Sequence, residues 1–144
     1  MPVKFSEFIN GGTLANGNVV VGLEGGANTR FTFSGSGGDG FVWNVINTDT
    51  AMEANNGYLV DDAALITLTM SASLAAGDVY EVANVGSGGW MIQLNAGQTV
   101  RLGVDLTIAG GSIASTQDGD SIRLVAINGT DLIVLSSQGN ISLA

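Results

Sequence analysis

Gly88-Gly89-Trp90-Met91-Ile92-Gln93-Leu94-Asn95-Ala96-Gly97-Gln98-Thr99-Val100-Arg101-Leu102-Gly103 carries the pattern that decides the fold. Trp90, Ile92 and Leu94 alternate with Met91, Gln93 and Asn95, the period-2 signature of a strand with one buried face. Val100 and Leu102 alternate in the same way with Thr99 and Arg101. Between the two runs, Asn95-Ala96-Gly97-Gln98 places a glycine where a tight turn needs positive φ. The stretch is expected to be a β-hairpin with its apolar face in the centre of a β domain. Arg101, opposite Val100 and Leu102, is then the residue placed to meet a neighbouring subunit or loop.

The same grammar continues on both sides. From Phe41 onward strands are expected near 41–47, 57–60, 64–70, 78–85, 90–95, 99–104, 121–127 and 131–136, with a last one at 140–143. Asn55-Asn56-Gly57, Ala76-Gly77-Asp78, Asp118-Gly119-Asp120 and Asn128-Gly129-Thr130-Asp131 are the turn signals between them. Ser71 to Ala76 allows at most one helical turn. Many short strands with Gly, Asn and Asp turns predict an all-β chain, a jelly-roll-like β-sandwich. Two strands are apolar on both faces. Ile122, Leu124 and Ala126 oppose Val125 and Ile127, and Leu132 and Val134 oppose Ile133 and Leu135, a pattern expected where one face packs on a symmetry mate.

Towards the N-terminus the organisation changes. Residues 1–17 read as an arm with apolar points at Phe5, Phe8 and Ile9. Asn18 to Leu23 and Thr29 to Phe33 read as two strands around the Gly-rich turn 24–28. A two-stranded hairpin is marginal alone, so arm and hairpin (1–33) are expected to add to another sheet. Residues 34–40, Ser-Gly-Ser-Gly-Gly-Asp-Gly, form a linker, and 41–144 form the sandwich. Gly35, Gly37 and Gly40 match G-x-G-x-x-G, but a strand rather than a helix is expected to follow, which argues against nucleotide binding.

Composition narrows the chemistry. The 144 residues hold 13 acidic side chains against Lys4, Arg30, Arg101 and Arg123, a net charge of −9. Four dispersed cations provide no footprint for phosphates, so direct nucleic-acid binding is not expected. The chain has no Cys and no His, which removes disulfides, thiolate metal sites, the commonest general base and the commonest zinc ligand. No apolar run approaches the ~20 residues of a membrane-spanning helix. Hydrophobic residues reach 45% and charged residues only 12%, so an apolar surface in search of a partner is expected. The opening Met1 to Glu7 lacks the basic end and apolar run of a signal peptide.

Each candidate for chemistry has a plainer reading. Asp118-Gly119-Asp120 and Asp61-Asp62 offer carboxylates to a calcium ion, yet neither has the length of a calcium loop, and Asp beside Gly is ordinary turn chemistry. No spacing selects a hydrolytic pair among the 13 acids, and a Ser nucleophile has no His to activate it. No enzymatic activity, metal or cofactor is expected. Trp43 and Trp90, with Tyr58 and Tyr80, suggest a platform for sugar rings, although the phase of Trp90 with Ile92 and Leu94 points it towards the core. Asn128-Gly129-Thr130 and Asn140-Ile141-Ser142 match the glycosylation sequon but read as turn and strand polarity.

Two blocks also resemble a known class. Lys4-Phe5-Ser6-Glu7-Phe8, followed by Val19-Val20-Val21-Gly22-Leu23-Glu24-Gly25-Gly26-Ala27-Asn28-Thr29-Arg30-Phe31, resembles the N-terminal leader of virion proteins of tailed bacteriophages. Residues 64–143, with Gly88-Gly89-Trp90, Asn95-Ala96-Gly97-Gln98-Thr99, Gly111-Ser112-Ile113-Ala114-Ser115-Thr116 and Ser136-Ser137-Gln138-Gly139-Asn140-Ile141, are similar to trimeric β-rich terminal domains of phage fibres and decoration proteins. The resemblance implies a homotrimeric, non-enzymatic virion protein. Its leader would dock on the major capsid protein or another virion protein through Phe5, Phe8, Val19, Val21, Arg30, Phe31 and Phe33, and its C-terminal knob would project. Long fibres carry a shaft between leader and knob, where this chain has only a linker. That departure favours a capsid-decorating or cement protein on the particle surface, made in the host cytoplasm. The alternative is a tail-fibre tip that attaches to host surface glycans through Trp43 and Trp90. A third reading, a secreted carbohydrate-binding domain, is weakened by the missing signal-peptide pattern.

Overall fold

Alternating residues place their side chains on opposite faces of a strand, and most of this chain obeys that period. The computed structural model describes residues 19–24, 27–32 and 40–144, and every regular element in them is a strand. The chain divides into two compact units, 1–39 and 40–144. In the first, β1 (Val19–Glu24) pairs antiparallel with β2 (Ala27–Thr32), from Val19 opposite Thr32 to Glu24 opposite Ala27.

The second unit is two mixed sheets that share one core, consistent with a β-sandwich. Its strands are β3 (Val42–Ile46), β4 (Thr50–Ala51), β5 (Asn56–Val60), β6 (Ile66–Thr69), β7 (Val79–Asn84), β8 (Trp90–Gln93), β9 (Thr99–Leu102), β10 (Asp105–Leu106), β11 (Ser112–Ser115), β12 (Ser121–Ala126), β13 (Asp131–Gln138) and β14 (Ser142–Leu143). One sheet has the order β10-β9-β13-β12-β7-β5-β3, the other β14-β11-β8-β6-β4. From β3 to β8 the chain changes sheet at every step. Each returning strand lies parallel to its predecessor in that sheet, giving the parallel rows β3-β5-β7 and β4-β6-β8. Parallel neighbours need a long crossover, and here a strand of the opposite sheet serves as one. A jelly roll pairs its strands antiparallel. The parallel pairs, including β13 with β9, set this connectivity apart from the expected one.

Glycines permit the corners to stack. Gly86 and Gly88 donate backbone hydrogen bonds to Val60 and Asp62, so the corner after β7 lies directly on the corner after β5. Neither position has room for a Cβ against the backbone of Asp62 and Ala64.

The expected hairpin is corrected by the same logic. β8 lies between β6 and β11, whereas β9 lies in the other sheet between β10 and β13. The turn itself is present, with Gln98 N donating to the Asn95 carbonyl at 3.0 Å and Gly97 at φ +83°. A single positive φ at the third position is the type II pattern, which splays flanking strands where the primed hairpin turns would align them. The amides of Asn95 and Gln98 then donate to the carbonyls of Met70 and Ser71 at 2.6 and 2.8 Å, tying this corner to the one before it.

Trp90, Tyr80, Leu68, Ile92, Ile113, Leu124, Leu132, Val60 and Val100 form the dry centre. Ser71 to Ala76 holds no helix. Asp78 closes its end with a turn, its carboxylate accepting from Ala75 N and its own N donating to the Ala75 carbonyl.

Candidate interaction surface

Following the register outward from this core gives two solvent-facing surfaces. On the five-stranded sheet the outward rows are Thr67-Met91-Ala114-Ser142 and Ala51-Thr69-Gln93-Ser112, small and polar apart from Met91. The seven-stranded sheet is different. Its outward rows are Val79-Val125-Ile133-Arg101-Leu106, Trp43-Gly57-Glu81-Arg123-Ser136, and Val45-Leu59-Ala83-Ser121-Gln138. Ile127 extends the face beside Asp131 and Thr99. Val45 is 70% exposed, Ile127 51% and Leu106 50%. Leu135 projects from a bulge where the partner of Arg123 is Ser136 and that of Leu124 is Val134.

Polar contacts hold this face in shape. Arg123 Nε lies 3.2 Å from the Glu81 carboxylate. A cleft of ≈ 240 Å³ is lined by Thr99, Arg101, Leu106, Ile127, Asp131 and Leu132. In it the Asp131 carboxylate accepts from Asn128 Nδ2 and Thr99 Oγ1, both at 2.8 Å. These bonds, first that from Asn128, together with the nearby Arg101 charge hold its pKa below the usual carboxylate value. At the far edge Trp43 packs edge-on against Phe41, ring centroids 5.5 Å apart, and covers Gly57. A Cβ at position 57 would lie 2.5 Å from the Trp43 ring, so glycine is what lets the indole lie flat on the strand.

A second cluster is internal. Asp120 is buried, and its carboxylate accepts from the Ser115 hydroxyl and from Asn140 N at 3.1 Å. Its carbonyl accepts from Asn84 N and from Trp90 Nε1 at 2.9 and 3.3 Å. Four segments, at 84, 90, 115 and 140, therefore meet on one residue. Asp118 is exposed while Asp120 is buried, so the two carboxylates of the Asp-Gly-Asp turn share no solvent-facing site. Among the described residues no group of three or more His, Cys, Asp or Glu side chains is placed to hold a metal.

The sequence-derived sites fall as follows. Trp90 is fully buried and offers no ring face to a glycan, because its strand phase and its bond to Asp120 turn it inward. Trp43 is 47% exposed. Val19 and Val21 lie on β1, Arg30 and Phe31 on β2, with Val21 opposite Arg30. Phe5, Phe8 and Phe33 lie outside the described residues, as does most of the 34–40 linker; the element after the linker is the strand β3. Asn128 Oδ1 accepts from Thr130 N and Asp131 N, so this sequon asparagine closes a turn. The second-phase apolar residues of β12 and β13 are legible in the sequence. Val79 joins them through the antiparallel register of β7 with β12, and Leu59 and Val45 through the parallel register of β3, β5 and β7. No protein-family model and no curated protein matches the chain.

Proposed function

We propose that this chain is a non-enzymatic structural protein of a tailed-bacteriophage virion, a homotrimeric decoration or cement protein that docks on the particle and reinforces it. The observation that carries this reading is the exposed apolar outer face of the seven-stranded sheet, set on a core closed without it. Apolar side chains turned outward from a closed core, Val45, Leu135, Ile127 and Leu106 among them, fit assembly better than solution life as a monomer. The leader-like residues 1–33 and the phage-like pattern of 64–143 support the same reading. In it, residues 1–33 attach to the major capsid protein or another virion protein, and the two-sheet knob of 41–144 projects, with the jelly-roll comparison reduced to two packed sheets. Counting and locating the chain in intact particles tests the proposal. Many copies on the head fit decoration, and a few at the tail tip contradict it. Removing residues 1–33 is expected to abolish capsid binding and leave the knob's subunit number unchanged.

One observation favours the glycan-binding alternative. The exposed Trp43 indole lies over Gly57 on the outer face of the edge strand β3. Binding of the knob to a glycan array, lost in Trp43→Ala, would support that tail-fibre role; an array without signal would remove it.

A further inference from the structure

Resting on the assembly reading above, we propose that the outer face of the seven-stranded sheet is the surface on which copies of this chain meet one another. The apolar rows alone do not choose an occupant; the charge distribution does. From Gly40 to the end the chain carries ten acidic residues and two cations, Arg101 and Arg123. Both arginines stand on this face, Arg123 against Glu81 and Arg101 near Asp131. Those two acids are the only ones whose strand positions point outward there, so the face is neutral while the remaining eight acids lie elsewhere on the unit. Two copies approaching by the acid-bearing loop ends bring acid against acid, and by the five-stranded sheet they bring together only small and polar side chains around Met91. By this side they bring a balanced, apolar surface against its equal. A basic partner would be drawn to the acidic remainder instead.

The dimensions agree. Three staggered rows of five outward positions, ~4.8 Å apart between strands and ~6.8 Å apart between rows, cover roughly 500 Å², the greater part of the ~800 Å² each partner gives to a standard interface. In a closed threefold ring each copy presents different ends of the face to its two neighbours. The Arg101–Leu106 end then meets the Trp43–Val45 end of the next copy, with Val125 and Ile133 nearest the axis.

The experiment is light-scattering mass of the full chain beside Val125→Glu, Ile133→Glu and the milder Ile127→Lys, with Ile108→Glu as an exposed control outside the face. Near-ultraviolet circular dichroism confirms that each variant is folded. The expected result is a trimer for the parent and the control, and dissociation strengthened roughly 30-fold or more in the face variants. If Val125→Glu or Ile133→Glu fails to fold, Ile127→Lys decides, since its side chain is already half exposed. A trimeric parent whose folded face variants stay trimeric overturns this inference and leaves the assembly reading standing. A parent that is monomeric at every concentration overturns both.

Discussion

The two outer surfaces of the sandwich differ although both sheets cover the same core. The five-stranded sheet turns Thr67, Thr69, Gln93, Ser112 and Ser142 to solvent, and the seven-stranded sheet turns Val45, Leu59, Val79, Val125 and Ile133. Water suffices for the first. The second leaves apolar area exposed that a partner would remove from solvent at roughly 25 cal/mol per Å². Stability within one chain therefore comes from the inner faces, and the outer faces differ in what they do for assembly.

This division can be broken first at the core. Trp90→Ala removes a fully buried indole and its bond to Asp120, and is expected to cost about 3–5 kcal/mol, read by urea unfolding. Second is the polar knot beneath it. Asp120→Ala leaves Asn140 N without its acceptor and Ser115 Oγ with Asn140 Oδ1 alone, an expected loss of about 2 kcal/mol in the same measurement.

A smaller effect follows from pH. Burial, above all, raises the pKa of Tyr58 and Tyr80 above 10.0; Tyr58 Oη accepts from Glu53 N at 2.7 Å, and the Tyr80 hydroxyl sits near Ser71 without completing a hydrogen bond. The folded state thus favours the neutral phenols. Their contribution is intact below pH 10 and is lost as pH rises through 10 towards the raised folded values, because the unfolded chain ionises first. Thermal melts between pH 8 and 11 should fall only above about 10; a decline that begins near neutrality would point to other groups.

The smallest effect is expected on the polar outer surface. Thr69→Lys should change stability by less than about 0.5 kcal/mol and leave the subunit number untouched. A loss of trimer there would mean the two outer faces had been assigned the wrong way round.

Much of this was legible in the sequence, for identifiable reasons. Where one face is buried and the other wet, as in Trp90 to Gln93, period-2 alternation places the strand and the inward tryptophan. β11 was hidden because Ile113 is its only large apolar residue and its second inward side chain, Ser115, is polar and spoken for by Asp120. The pairing was less legible than the strands. Asn95-Ala96-Gly97-Gln98 has the composition of a hairpin turn, and only the sign of φ at Ala96 and Gly97 distinguishes it from a corner between sheets. The candidate surface was half visible. The doubly apolar β12 and β13 announce it, but Val79 and Leu59 alternate with buried residues in ordinary-looking strands until the pairing sets Val79 beside Val125 and Leu59 between Val45 and Ala83 on the same face.

Sedimentation equilibrium of the intact, unmodified chain shows whether copies join at all. The expected mass is three times the 14.6 kDa chain mass, held together at moderate concentration and not weakened by salt, because the joined faces are apolar and neutral and salt only screens the repulsion between the acidic remainders. A mass of 14.6 kDa across the whole concentration range would contradict it.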